Sequence, residues 1–141
     1  MIRSGICTTA KKEFLQGKHR PGHVIRMALF ITGTKINRQT TNFGPELADF
    51  EVQGAGYSPG GRPLQNIHFG TDGDTAFMTF DTVVWHSATV TARGCLIYND
   101  SLPGRPTIAV INFGREVKSD KGDFSVVIPK ATATTAVIRI L

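Results

Sequence analysis

Two histidines, His68 and His86, are the side chains best suited to act as general bases. A base of this kind works with a nucleophile and an orienting group. Ser58, Ser87 and Ser101 supply hydroxyls, but no Gly-x-Ser-x-Gly elbow surrounds any of them. Both histidines fall in strand-like stretches, where a hydrogen-bonded structural role is the commoner one. His19 and His23 have the four-residue spacing that lets two imidazoles share a metal on a helix. Pro21 and Gly22 lie between them and break the helix that this geometry needs. Asp72, Asp74 and Asp81 offer clustered oxygens for a hard cation, but an EF-hand loop needs more acidic positions and a closing Glu. The stretch Gly54–Pro63 is rich in glycine and lacks Gly-Lys-Ser/Thr, so it is no phosphate loop. It reads as a β-connection, with Tyr57 and Arg62 as its contact groups if it binds anything. Asn99-Asp100-Ser101 matches a glycosylation sequon, which has meaning only in an exported chain. Cys7 and Cys95 form no Cys-x-x-Cys pair and no zinc pattern. Cys95 reads as a small buried hydrophobe, and the thiols fit synthesis in a reducing compartment. The expectation is therefore no enzyme, no cofactor and no metal.

The elements that carry these residues are strands. Thr, Val and Ile account for 38 of 141 residues against 18 for Leu and Ala, with 15 Gly and 7 Pro. That balance favours sheets and turns over helices. Strand candidates are His23–Thr32, Leu47–Gln53, Leu64–Phe69, Thr75–Phe80, Thr82–Tyr98, Thr107–Phe113, Phe124–Ile128 and Thr135–Leu141. Alternation in Leu47–Gln53 turns Phe50 and Val52 inward. In the fifth candidate Ala88, Val90, Ala92, Gly94, Leu96 and Tyr98 share one face, and Gly94 is a bulge candidate. Asp-Gly at 72–73 marks a hairpin. About eight strands with regular turn signals predict an all-β antiparallel β-sandwich of jelly-roll-like form. The longest apolar run, Met27–Ile31, is too short to span a bilayer or to make a signal-peptide core, so a soluble protein without a membrane partner is expected.

Charge divides the chain. Residues 1–38 hold eight Lys or Arg and only Glu13, a net +7, whereas residues 39–141 carry a net −2. Residues 1–26 show no hydrophobic period. They predict a basic extended arm ahead of a β-sandwich domain at 27–141, disordered alone and ordered on an acidic neighbour. Lys11, Lys12, Lys18, Arg20 and Arg26 would carry the contact, with Phe14 and Leu15 as its apolar anchor. Nucleic acid is the weaker partner for this charge, because Phe14 is the arm's only aromatic residue and no nucleic-acid motif appears in the body.

The stretch Asp81–Asn99, with Trp85, Arg93, Gly94 and Tyr98, resembles a segment of capsid cement or decoration proteins of tailed bacteriophages. Thr107–Phe113 and Gly122–Leu141 share that resemblance, which covers about Met27 to Leu141 and gives the first 26 residues no role. It implies a jelly-roll-like body on the outer capsid surface of a virion, made in the bacterial host cytoplasm. The major capsid protein would be the partner, with a homodimer at twofold or quasi-twofold sites. The other reading is a β-sandwich module that binds a receptor or carbohydrate, which would present aromatics on a loop face.

Overall fold

A computed structural model describes residues 2–132 and 134–140. Among these residues, eight strands and one α-helix occur in the order β1 (Gly5–Ile6), α1 (Thr8–Leu15), β2 (Ile25–Phe30), β3 (Arg62–Pro63), β4 (His68–Asp72), β5 (Thr75–Thr79), β6 (Val83–Asn99), β7 (Thr107–Val126) and β8 (Ile138–Ile140). A 3-10 helix, Pro45–Phe50, lies between β2 and β3. One sheet has the order β1-β7-β6-β2-β3 and the other β4-β5-β8, with every pairing antiparallel. The fold is the all-β sandwich of about eight strands that the composition and alternation predict.

The β6/β7 ribbon dominates the architecture. At about 3.3 Å per residue, 17 straight residues would reach roughly 55 Å. A chain of this size has a radius of gyration of only about 14 Å, so the ribbon must bend. The register shows where. Ala92 pairs with Val117, but Gly94 pairs with Asn112, so β7 carries extra residues at this point. Gly114 there has φ +80, and a Cβ on Gly94 would stand 2.5 Å from the Ile111 carbonyl oxygen. The bulge also inverts the side-chain phase. Ala88, Val90 and Ala92 join Cys95 and Ile97 in the main core, while Leu96 and Tyr98 point to the other side of the sheet. Placing Ala88 through Tyr98 on one face is thus corrected by the same bulge that Gly94 announces.

Both faces of the larger sheet are covered. Ile25, Met27 and Leu29 of β2 pack with Trp85, Met78, Phe80 and Ile138 in the core between the two sheets. Ala28 and Phe30 join a second core with Ile2, Cys7, Ala10, Ile36 and Val110. The N-terminal segment is therefore part of the body, which corrects the extended arm. Gly5–Ile6 pair with Val110 and Ala109, and the Cys7 N–H donates to the Ile108 carbonyl at 2.8 Å. Ala10 and Phe14, spaced i and i+4, are the apolar residues on the inner side of α1. That stripe is too short for a hydrophobic period to register.

Leu47–Gln53 is corrected as well. Pro45 opens a 3-10 turn, since its missing N–H costs nothing at a helix start, and the Leu47 N–H donates to Gly44. Phe50 ends 39 % exposed, whereas Val52 is buried. The candidates Thr107–Phe113 and Phe124–Ile128 merge into the single strand β7.

Candidate functional site

Three places bring chemistry-bearing residues together. The first ties the N-terminal segment to the end of β6. Asn99 is fully buried, and its amide nitrogen lies 3.1 Å from His19 Nδ1 and 3.0 Å from His23 Nδ1. Its Oδ1 accepts from the Ser101 N–H at 3.0 Å. With Nδ1 accepting from the amide, His19 carries its proton on Nε2 and donates it to Glu13 Oε1 at 3.2 Å. The His19/His23 spacing is real in space, but an amide sits between the rings where a metal would have to. Burial pushes the His19 pKa down, against a smaller upward pull from Glu13. The sequon asparagine is committed to this network.

The second is the glycine-rich connection. Tyr57 is buried rather than displayed; its hydroxyl donates to Glu51 Oε2 at 2.5 Å and accepts from the Leu29 N–H at 2.9 Å. Burial, with Glu51 alongside, pushes the phenol pKa up. The Gly60 N–H donates to the same carboxylate oxygen at 2.7 Å, and Tyr98 donates to the Gly60 carbonyl at 2.6 Å. The loop is clamped onto β2: a Cβ on Gly61, at φ +78, would meet the Met27 carbonyl oxygen at 1.8 Å. Arg62 donates to the Val84 carbonyl and lines, with Ser58, Trp85 and His86, a cleft of about 320 Å³. His86 Nδ1 lies 3.2 Å from Asp123 Oδ1, with both side chains largely exposed. His68 is elsewhere, on β4, with its ring centroid 6.1 Å from that of Phe77. Ser101 accepts from the Val24 N–H. Asp81 accepts from Asn66 at 2.6 Å. Among the described residues no three His, Cys, Asp or Glu side chains form a metal-holding group.

The third is a groove of about 550 Å³ in the angle of the bent ribbon. Ala109, Ile111 and Phe113 line it from one half of β7, and Phe124 and Val126 from the other. Only a bent strand can bring these positions around one space. Val127, 77 % exposed, and Arg115 complete its rim. No sequence signal pointed to this groove; Gly94 marked the bend, but not what the bend encloses.

The seven proposed contact residues divide. Lys11, Lys12, Leu15, Lys18 and Arg20 are exposed, Leu15 at 90 %. Phe14 is half-buried against both cores, its ring 5.0 Å from His19. Arg26 is half-buried and donates to the Gly61 carbonyl at 3.1 Å. Among the described residues, no Lys or Arg within 2–38 lies in ion-pair range of a carboxylate. Among the described residues, no helix is long and apolar enough to cross a membrane. In comparisons with known proteins, no family, no curated sequence and no solved structure matches the chain.

Proposed function

We propose that the chain is a structural virion protein that binds the outer surface of a tailed-phage capsid and cements neighbouring major capsid subunits, as a homodimer at twofold or quasi-twofold sites. The observation that carries this reading is the display of Lys11, Lys12, Lys18 and Arg20. Four exposed cations fall within ten residues, on a segment anchored by the burial of Cys7, Ala10 and His19. A fixed set of unpaired cations suits an acidic protein surface better than a flexible tail does, because less ordering entropy is lost on docking. Each rim ion pair contributes only about 0–1 kcal/mol, so binding rests on the set and on many copies acting together. The receptor or carbohydrate reading has less support: Trp85 and Tyr57 are both buried, leaving no aromatic platform on the glycine-rich loop.

The test is to image purified particles that contain the chain and to assay its binding to capsids stripped of it. Density repeated over the outer shell is expected, as is binding that weakens when salt is raised. Reversing the four charges to Glu should release the protein at low salt. Density confined to the tail, or binding indifferent to both salt and charge reversal, overturns the proposal.

A further inference from the structure

We infer that the groove in the angle of the β6/β7 ribbon binds a single-chain alkyl carboxylate, with the chain along the apolar floor and the head group at Arg115. The volume, about 550 Å³, lies within the range of small-molecule sites, which are mostly apolar with few polar groups. The floor is continuous with the main core: Ile111, Phe113, Val117, Ile128 and Val137 pack against that core while still lining the groove. Among the described residues that line it there is no carboxylate, and Arg115 is the one charged group. Its guanidinium makes no hydrogen bond or ion pair to any described residue. An apolar floor with one free cation at its rim complements an amphiphile with one negative head.

Along Ala109–Gly114, the main chain beside the groove argues against an extended peptide. Strand addition works by offering free backbone groups along a sheet edge. Here the Asn112 N–H already donates to Ser4 Oγ at 2.7 Å, and the Gly114 N–H to Asn112 Oδ1 at 2.8 Å. Gly5 and Ile6 occupy the edge at Val110 and Ala109. A peptide entering would leave its own N–H and C=O groups short of partners, which is costly away from water. An alkyl chain brings no such groups. Occupancy of the groove neither requires nor excludes docking on a capsid.

Trp85 is the only tryptophan, and its ring centroid lies 6.1 Å from that of groove-lining Phe124, so the protein carries its own reporter. The full chain is titrated with octanoate, decanoate and dodecanoate below their micellar concentrations, by Trp85 fluorescence and by calorimetry. One saturable site is expected, tightening about fourfold per added methylene while the chain still finds floor to cover. Arg115→Gln should weaken dodecanoate about tenfold and leave dodecanol unchanged. Val127→Asp, at an exposed rim position that the fold does not depend on, should weaken both ligands at least about tenfold, a carboxylate having been set beside the alkyl chain. The inference is overturned if dodecanoate shows no saturable binding, if affinity ignores chain length, or if Arg115→Gln affects acid and alcohol equally. Adsorption to phosphatidylcholine vesicles without binding of the free acids overturns it as well.

Discussion

Replacing Ile2 by Ala tests whether the N-terminal segment belongs to the body. Ile2 is 3 % exposed and packs with Cys7, Ala10, Phe30, Leu96 and Val110. Its Cδ1 and Cγ2 atoms fill the space over Gly94, where an added Cβ would meet them at 3.0 and 3.1 Å. The Ile2 carbonyl is held by the Asn112 side chain at 2.9 Å, so the residue is fixed at both backbone and side chain. Truncating a buried Ile or Leu to Ala costs about 2–5 kcal/mol. The low end of that range is about 2 kcal/mol. For a domain of this size that lowers Tm by about 4–8 °C. Leu15 is the matched control. It lies in the same segment but is 90 % exposed, and Leu15→Ala should stay within about 0.5 kcal/mol. Urea unfolding followed by Trp85 fluorescence and by circular dichroism measures both. If Ile2→Ala is as silent as Leu15→Ala, the second core does not hold the segment, and the case for an anchored basic surface fails with it.

Three further outcomes are expected. Gly61→Ala should cost about 2–5 kcal/mol by urea midpoint, because the residue has φ +78 and its Cβ would collide with the Met27 carbonyl; an unchanged midpoint would mean that the loop does not clamp β2. Tyr57→Phe should cost about 1–3 kcal/mol, since it strips the Leu29 N–H of its acceptor and Glu51 of its phenol donor. His19 has a pKa below its ordinary 6.5 in the fold, so the unfolded chain takes up the proton first as pH falls. Its contribution is intact above 6.5 and is lost as the pH drops from there toward the folded pKa. Unfolding free energies at about pH 7.5 and about pH 5.5 should therefore fall more steeply in the parent than in His19→Gln, and equal slopes would contradict the burial of a neutral imidazole.

The sandwich was legible because half-buried strands alternate: β2 and β5 fall within segments read as strands, β6 exceeds its segment only by Asn99, and β4 overlaps its segment at His68 and Phe69. The Asp-Gly hairpin joins β4 to β5 with Asp72 opposite Thr75. What failed to register was anything set by contacts distant in sequence. Residues 2–26 look aperiodic because the second core takes single residues from them, Ile2, Cys7 and Ala10, rather than one continuous stripe. Leu47–Phe50 misled because four residues fit a strand and a 3-10 turn equally well, and Pro45 decided between them. At the sites, the metal-like spacing of His19 and His23 was correct as proximity, yet the third member of that group is Asn99, some 80 positions away. Tyr57 drew attention as an isolated aromatic in a loop; its partners, Glu51 and Leu29, explain why it turns inward.

The pairing of β1 with β7 sets an order of events during synthesis. Gly5 meets Val110 across the sheet, so its partner leaves the ribosome 105 residues later. At about 5–20 residues per second, that delay is roughly 5–20 s. Through this interval Ile2, Cys7 and Ala10 have no finished surface to close on, and the thiol of Cys7 stays open to oxidants that cannot reach it afterwards. The β6/β7 ribbon, by contrast, joins neighbours in sequence and can zip as soon as its turn emerges. Ile2, Cys7 and Ala10 are thus made well before β7 but placed only after it, and a nascent chain halted before β7 would still carry a nucleophilic sulfur that the finished protein conceals.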